Sequence, residues 1–298
     1  MNYYNEIKEE LLNNNINKKV KYHSINKSDL STYYNVGRMI NEDGKQYGEG
    51  IIKKYSKRLT TELGKGYTES NLKRFRQFYI IISKGATMSH QLSWSHYVEL
   101  IPLNNINYIN YYILETINNS LTVRQLRLRI KNEEYERLNE NTKYKITNNK
   151  NPNITDYIKN PILIKSSENE KISEKVLQKL ILEDIESFMR ELGNSFSYID
   201  NEYKIKIGQR YNYIDLLLFN YEFNCFVVIE LKVTELKKQY IGQIQIYMDY
   251  IDKNIRKSYH DKTIGIIIYK RNNEYIIEYC SNKKIISREY KIIWKLTK

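Results

Sequence analysis

Apolar residues in the first half of the chain recur at the three- and four-residue spacing of amphipathic helices, and glycines interrupt the pattern. The helices that this spacing predicts cover residues 28–41, 49–63, 69–83, 106–118 and 122–137. Thr68 is well placed to cap the third helix, because its hydroxyl can accept a free amide hydrogen of the first turn. The pattern predicts an all-α region up to about Arg137.

The second half of the chain has a different pattern, in which helices alternate with strands. Helical spacing predicts one long helix over Glu170–Leu192 and another over Leu236–Ile255. The strands that runs of β-branched and aromatic residues predict are Phe196–Lys206, Tyr211–Phe219, Cys225–Val233, Thr263–Tyr269 and Tyr275–Cys280. Strands that bracket a helix indicate an α/β domain with a mostly buried sheet, so the predicted class of the whole chain is α+β.

The stretch between the two patterns has the composition of a linker. Residues 139–153 are rich in Asn and Lys and have almost no apolar residues. Pro152 lies near the end of this stretch and Pro161 follows shortly after it, and prolines interrupt helices and strands. We therefore predict a helical domain over residues 1–138, a linker over 139–162 and an α/β domain over 163–298.

The charge of the chain is positive and uneven. The 298 residues carry 48 Lys+Arg against 35 Asp+Glu, a formal net charge of +13. Residues 51–131 hold 13 basic and 4 acidic side chains, which is nearly all the excess of the first half. A basic domain favours polyanions, of which nucleic acid is the commonest. An AT-rich genome, which favours Lys and Asn codons, explains the same numbers.

Several classes of protein are excluded by the same composition. The longest apolar runs are far shorter than the roughly 18 residues that cross a bilayer. The first residues lack the layout of a signal peptide, and two cysteines cannot supply a disulfide framework or a cysteine zinc site. A cytoplasmic protein is expected.

Charged residues inside two apolar strands are the strongest chemical signal. Asp215 lies within the strand 213–219, and Glu230 and Lys232 lie two apart in the next strand, where they share a face. Two carboxylates from neighbouring strands form a hard oxygen site suited to Mg²⁺ or Mn²⁺, beside which a lysine places a positive charge for a phosphate or a water. The alternative is a buried Glu–Lys ion pair that has only a structural role.

The next predicted helix adds Gln243 and Tyr247, which lie on one helix face. Together with the strand residues they resemble the PD-(D/E)XK nuclease superfamily, and more closely its YhcG-like family of bacterial proteins. The segments that carry the resemblance are Gly64-Lys-Gly-Tyr-Thr-Glu-Ser-Asn-Leu, Leu92-Ser-Trp-Ser-His-Tyr97, Glu191-Leu-Gly, Tyr213-Ile-Asp-Leu-Leu, Val228-Ile-Glu-Leu-Lys, Gly242-Gln243 and Thr263-Ile-Gly.

The resemblance implies a DNA endonuclease that uses Mg²⁺ or Mn²⁺, in repair, recombination or mobile-element and defence processes. Asp215, Glu230 and the main-chain carbonyl of Leu231 would hold the metal, while Lys232 orients or deprotonates the attacking water and Gln243 steadies Lys232 or the substrate. Tyr247 is expected in the core. Nucleases of this fold often act in pairs, which makes a homodimer an expectation.

The first helix of the nuclease fold usually contributes a further acidic residue. The family pattern has glutamates about four residues apart, and this chain has Glu174 followed by Gln178. Glu174 lies near the apolar stripe of its helix and is the expected extra metal ligand. A glutamine at the second position predicts weaker metal binding.

Two groups of basic residues in the helical domain are candidate nucleic-acid contacts. Lys73, Arg74 and Arg76 lie early in a helix that comes after a glycine-containing turn, as in a helix-turn-helix recognition helix. A second group is stacked at three- and four-residue spacing and consists of Arg124, Arg127 and Lys131. For both groups a solvated basic face is the alternative.

Three functions therefore remain open at the level of the sequence. The first is a metal-dependent nuclease with a DNA-binding helical domain. The second is a non-catalytic nucleic-acid-binding or partner-recruiting protein with a degenerate nuclease fold, for which Gln178 is the hint. The third is an enzyme that uses Asp215 and Glu230 as acid and base, as glycosidases do, although Lys232 and the basic first domain argue against it.

Overall fold

A computed structural model describes residues 3–20, 25–47, 50–147, 150, 153–166, 172–193, 195–271 and 282–294. Its contacts separate the chain into two compact units, Met1–Tyr135 and Glu136–Lys298. Across the described residues, no helix combines the length and apolar character needed to cross a membrane.

The first unit is helical. Its α-helices are α1 (Tyr4–Val20), α2 (Ile25–Tyr47), α3 (Gly50–Leu63), α4 (Glu69–Ser83), α5 (Trp94–Leu100), α6 (Ile106–Asn118) and α7 (Val123–Lys131), with a short 3₁₀ helix at Ile101–Leu103. The limits of α4 and α6 agree with the predicted ones. Helices α1 and α5 were not predicted, and α7 ends six residues before the predicted Arg137.

Helices α2 and α4 pack closely at a glycine. A Cβ atom on Gly37 would lie 2.1 Å from the carbonyl oxygen of Phe75, so only glycine permits this approach. The ring of Phe75 stacks on Tyr33 with centroids 4.3 Å apart, and Trp94 lies 5.3 Å from Phe75. Trp94 therefore belongs to the aromatic core of the helical unit.

The second unit is built on a sheet. Its helices are α8 (Glu140–Thr147), α9 (Ile154–Tyr157), α10 (Glu174–Glu183), α11 (Ile185–Leu192) and α12 (Lys238–Asn254), and its strands are β1 (Ile162–Ser166), β2 (Phe196–Ile207), β3 (Arg210–Asn220), β4 (Cys225–Leu231), β5 (Asp261–Tyr269) and β6 (Ile285–Trp294). Among the described residues the sheet has six strands in the order β1-β6-β5-β4-β3-β2. The strands β1, β6, β5 and β4 are parallel to one another, while β3 is antiparallel to both β4 and β2. This confirms the α+β class.

The two faces of the sheet are covered by different helices. Leu177 and Ile181 of α10 and Phe188 of α11 pack in one apolar cluster with the sheet. Ile244 and Met248 of α12 pack in another. Because both faces are covered, the central strands β4 and β5 are mostly apolar, as is usual for strands buried on both faces.

The predicted linker is partly folded. Residues 139–162 include α8 and α9, and the buried hydroxyl of Thr142 in α8 donates to the carbonyl oxygen of Asp156 in α9 at 2.8 Å. Lys145 and Asp156 form an ion pair at 2.5 Å. Short polar helices of this kind are held by specific hydrogen bonds, which a count of apolar residues does not detect.

A buried ion pair fixes the start of the second unit. Arg137 and Glu191 are both buried and are joined through Nη1 and Oε2, while Arg137 Nη2 donates to Glu191 Oε1 at 3.1 Å. Arg137 also donates to the carbonyl oxygen of Pro161, and the amide of Leu163 donates to Glu191. The residues just before α8 are thereby tied to α11 and β1.

The prediction of one helix over Glu170–Leu192 is wrong, because the helix is interrupted at Asp184. The Asp184 carboxylate accepts from the amide of Ser187 and caps α11, and it also binds Lys165 of β1 at 2.8 Å. An aspartate that caps a new helix competes with continuation of the old one. Residues 167–171 lie outside the described part, so α10 is described from its cap at Ser173.

Two strands were not predicted. β1 begins at the last residue of the expected linker, and β6 lies near the end of the chain, where its residues Ile285–Trp294 alternate poorly between apolar and polar. The strand predicted over Tyr275–Cys280 lies outside the described residues.

Candidate active site

The register between β3 and β4 brings the two strand carboxylates together. Leu216 lies opposite Ile229, so the next residues along, Asp215 and Glu230, face each other across the two strands. Asp215 Oδ2 accepts a hydrogen bond of 2.7 Å from the main-chain amide of Leu231. Burial raises the pKa of Asp215 above its ordinary value, although this hydrogen bond and the charge of Lys232 act in the opposite direction.

Glu230 is the most deeply buried acid of this group, with 1% of its surface exposed. Its Oε2 accepts from Lys232 Nζ at 3.2 Å and from Gln243 Nε2 at 3.1 Å. Its Oε1 is buried, and no group in the described part of the chain donates to it. Burial and the neighbouring charge of Asp215 raise the pKa of Glu230 to about 8.

Lys232 is surrounded by carboxylates. Its Nζ lies 3.2 Å from Glu230 Oε2 and 3.7 Å from Glu174 Oε2, and it stands 5.3 Å from the centre of the Tyr240 ring. Burial lowers the pKa of Lys232, but the charges of Glu230, Asp215 and Glu174 outweigh it and the pKa is raised. The lysine is therefore protonated at neutral pH.

Helix α12 contributes an amide that holds Glu230. Gln243 Nε2 donates to Glu230 Oε2 and lies 3.0 Å from the hydroxyl of Tyr247, one helical turn further on. Tyr247 is buried with 6% of its surface exposed and belongs to the apolar cluster on this face of the sheet. It thus packs in the core, and its hydroxyl meets the side chain that orients Glu230.

Helix α10 contributes Gln178, the residue for which the resemblance implied a glutamate. Its side-chain Nε2 donates to the main-chain carbonyl oxygen of Asp215 at 2.9 Å, and the residue is buried. A glutamate could not donate here, because an ionised carboxylate only accepts. Gln178 is a structural partner of Asp215 in this protein.

The donor set can be compared with what a divalent ion needs. Among the described residues, no three His, Cys, Asp or Glu side chains converge on one point to form a complete cage. The buried Glu230 Oε1 without a donor and the nearby carboxylate of Asp215 offer oxygen ligands to an incoming cation. Mg²⁺ usually keeps several waters and binds protein through one or two carboxylates, so the residues present fit such an ion.

Two neighbours of the site escaped the sequence-based prediction. Tyr240 precedes Gln243 by three residues on α12, a spacing that places both on one helix face. Glu202 of β2 has a positive φ of 49° and contributes to the raised pKa of Asp215 through its charge. The two-residue turn between β2 and β3 fixes which residues of the two strands lie opposite each other. From that register the sequence could have placed Glu202 beside Asp215.

The basic residues of α4 contact side chains of their own unit. Lys73 forms an ion pair with Glu69 at 2.8 Å, and Arg74 donates to the side chain of Asn71 at 3.3 Å. Arg76 is half-buried, and its Nε donates to Asn41 at 3.3 Å. The buried residues of α4 are Leu72, Phe75, Phe78 and Ile81, and Tyr79 is half-buried.

The basic residues of α7 divide into two kinds. Arg127 makes a bidentate ion pair with Glu99, in which Nη2 donates to Oε1 at 2.7 Å and Nε donates to Oε2 at 3.0 Å. Arg124 and Lys131 are exposed, and no acidic partner is described for either among the residues that the structure describes. The nucleic-acid role of all six residues stays a prediction.

Comparisons with known proteins cover both units. A family model described as the DUF1016 N-terminal domain matches residues 7–137, and one described as the YhcG PDDEXK nuclease domain matches residues 155–297. A relative from Escherichia coli (strain K12), "Putative nuclease YhcG", is 25% identical over an alignment of 290 positions, which covers 82% of this chain and 77% of the relative.

Solved structures show a partial likeness. A repair endonuclease from Pyrococcus abyssi is 21% identical over 43% of this chain and 50% of its own, with a TM-score of 0.29. An EndoMS–dsDNA2 complex is 18% identical over 45% of this chain and 51% of its own, with a TM-score of 0.28. This chain spans about half the length of these two structures.

Proposed function

Because the chain belongs to the YhcG-like family, with a DUF1016 N-terminal domain followed by a YhcG PDDEXK nuclease domain, we propose that it is an endonuclease that hydrolyses phosphodiester bonds of DNA with Mg²⁺ or Mn²⁺. The observation that carries the proposal is the buried Glu230 Oε1, which has no donor in the described chain and lies beside Asp215 and Lys232. A buried carboxylate oxygen without a hydrogen-bond donor is stabilised when a cation binds to it.

Asp215, Glu230 and the main-chain carbonyl of Leu231 would hold the metal, with Glu174 at the edge of the site. When bound, the ion lowers the pKa of a coordinated water and offsets the charge that develops on the phosphate. Gln243 fixes one oxygen of Glu230 and leaves the other free. Gln178 holds the main chain at Asp215 in place.

Lys232 acts as a fixed positive charge. Its raised pKa keeps it protonated at neutral pH, so it is suited to orient a water or a phosphate oxygen rather than to remove a proton. We therefore assign to it electrostatic stabilisation of the reacting phosphate.

We propose that the helical unit binds the DNA, through Arg124 and Lys131 above all, and that two copies of the chain act together when both strands are cut. The exposed basic faces of α4 and α7 support the first part. Repair, recombination or mobile-element and defence processes are the settings that this chemistry suits.

The test is a cleavage assay on plasmid, linear and branched DNA with Mg²⁺, with Mn²⁺ and with EDTA. We expect cleavage by the wild type with either metal, and a loss of about 10³-fold or more in Asp215→Asn and Lys232→Met. Matched controls are Asp249→Asn and Lys253→Met, which change the same residue types at exposed positions of α12. Equal cleavage by all five proteins would contradict the proposal, and cleavage that EDTA leaves unchanged would favour acid–base chemistry without a metal.

A second candidate rests on Gln178. Because its amide donates to the Asp215 carbonyl where relatives are expected to carry a carboxylate, the chain also suits a nucleic-acid-binding protein with a degenerate nuclease fold. That function predicts tight binding of DNA by the wild type with no metal-dependent cleavage of any of the three substrates.

A further inference from the structure

The hairpin formed by β2 and β3 has an unusual composition next to the candidate active site. Residues 203–213 include three basic side chains and three tyrosines and lack acidic residues. The two strands stay paired to the turn, where Ile207 lies opposite Arg210. Along β3, Tyr213 and Tyr211 precede Asp215 by two and four residues, or about 7 and 14 Å at the rise of an extended strand.

One face of this hairpin is buried and the other is open. Ile205 and Ile214 are buried in the apolar cluster that includes α12. The opposite face carries two cross-strand pairs, Lys204 with Tyr213 and Lys206 with Tyr211, because directly opposed residues share a face. These four residues are called the hairpin face.

The groups on the hairpin face are close together and exposed. Lys204 Nζ lies 3.9 Å from the centre of the Tyr211 ring, which shows that the two side chains share the surface. Tyr211 and Tyr213 expose 56% and 52% of their surface, and both lysines are exposed. Exposed aromatic residues interleaved with lysines are typical of surfaces that bind single-stranded nucleic acid.

We propose that the hairpin face binds an unpaired, single-stranded segment of nucleic acid and guides it to Asp215. The inference rests on the proposed nuclease function and adds the form of the substrate. Lysines neutralise phosphates of any nucleic acid, whereas an aromatic ring stacks on a base only where that base has left the duplex stack. The tyrosines therefore select a single strand, and β3 leads from the hairpin face to Asp215 along the chain.

A purely structural role makes different predictions. β2 is at the edge of the sheet of described strands, and lysines on an edge strand deter pairing with other chains. Cross-strand pairs also stabilise a hairpin. In that case, changes to the hairpin face would affect aggregation or thermal stability and leave the affinity for nucleic acid unchanged.

The test measures binding of full-length protein that carries Asp215→Asn, in EDTA, to a labelled 20-nucleotide oligothymidylate and to a 20-base-pair duplex. The double variants are Lys204→Gln with Lys206→Gln, and Tyr211→Leu with Tyr213→Leu. Matched controls are Lys253→Gln with Lys257→Gln, and Tyr221→Leu with Tyr259→Leu, which alter exposed residues away from the hairpin. The melting temperature of each variant is recorded first.

On the single strand, the lysine pair is expected to weaken binding and to make the slope of log K against log salt less negative by about 1.4, since each phosphate contributes about 0.7. The tyrosine pair is expected to weaken binding about fivefold or more without changing that slope. The controls should stay within about twofold of the parent, and the tyrosine pair should affect the duplex less than the single strand.

A local readout covers the case in which the tyrosine variant fails to fold. An oligonucleotide that contains 5-iodouracil should cross-link to Tyr211 or Tyr213 in the Asp215→Asn protein, as located by mass spectrometry of the peptides. Unchanged affinity of the lysine pair, equal losses in the controls, equal loss on duplex and single strand, or cross-links confined to Tyr221 and Tyr259 would each overturn the inference. Hairpin-dependent binding by a wild type that never cuts DNA would refute the nuclease proposal and leave this one standing.

Discussion

Two groups of charged residues that the sequence singles out have opposite surroundings in the structure. Asp215, Glu230 and Lys232 converge where the end of β4 lies beside the middle of β3, and burial raises the pKa of both acids there. The side chains interact mainly with one another, and Glu230 Oε1 lacks a donor in the described part of the chain. Such an arrangement costs free energy unless a ligand uses it.

The basic residues of α4 and α7 are exposed or half-buried, and several already have a local partner. Lys73 pairs with Glu69, and Arg127 pairs with Glu99. Exposed pairs of this kind contribute little to stability because water and salt screen them, and they reduce the positive charge that a polyanion would meet. A surface charge that the sequence shows is thus a weaker indication of function than a charge that the strand register buries.

The two groups should differ most in how they affect the pH dependence of the free energy of unfolding, measured in EDTA. The unfolded Glu230 loses its proton near pH 4.5 and the folded one near 8, so the unfolded state releases the proton first as pH rises. Stability is therefore lost between about pH 4.5 and 8, by roughly 3 to 5 kcal/mol. Glu230→Gln should lack this loss, and chemical denaturation of both proteins at pH 5 and pH 8.5 measures it.

The same experiment on a surface acid is the control. Glu69→Gln removes a carboxylate of the helical unit whose pKa is lowered by its hydrogen bond to Lys73, and it should not reproduce the loss between pH 5 and 8.5. A wild type whose stability rises across that interval would show that Glu230 is not held in the state described.

A smaller effect is expected at Gln178. Gln178→Glu removes the donor to the Asp215 carbonyl and should destabilise the metal-free protein by about 1 to 3 kcal/mol at pH 7. Because the new carboxylate adds an oxygen ligand near the site, Mg²⁺ should recover part of the loss. Gln209→Glu, an exposed turn position with the same chemical change, should cost less than about 0.5 kcal/mol, and an equal loss in both variants would remove the assigned role of Gln178.

The smallest effects are expected on the basic helices. Arg124→Gln and Lys131→Gln should each weaken binding of a duplex a few-fold and make its log–log salt slope less negative by about 0.9. Lys73→Gln and Arg127→Gln, whose charges are neutralised locally, should stay within about twofold. Fluorescence anisotropy at three salt concentrations measures both quantities, and the reverse ranking would contradict the distinction between free and locally paired basic residues.

The sequence predicts the elements whose limits are set by local chemistry. The limits of α4 agree because Thr68 accepts from the amide of Asn71, as the capping argument requires, and Asn105 caps α6 in the same way. Asp215 and Glu230 are brought together by the pairing of β3 with β4, which two consecutive apolar strands favour. The roles of these residues in catalysis stay predictions.

Other features depend on contacts between distant parts of the chain. β1 and β6 pair with each other in parallel, with Ile164 opposite Ile292, and neither strand has a clear alternation of its own. The break at Asp184 is stabilised by Lys165 as well as by Ser187. Partners such as Ile292 and Lys165 cannot be identified from composition or periodicity, since tens to more than a hundred residues separate them from the positions that they contact.

The contact between Arg137 and Glu191 has a practical consequence for anyone who wishes to express the nuclease part alone. A fragment that starts at residue 163, where composition places the boundary, would lack Arg137. The carboxylate of Glu191 would then be buried without its ion-pair partner, which typically costs about 3 to 5 kcal/mol of stability. A fragment that starts at Glu136 keeps the pair, so the fragment to express begins earlier in the chain than the pattern of apolar residues suggests.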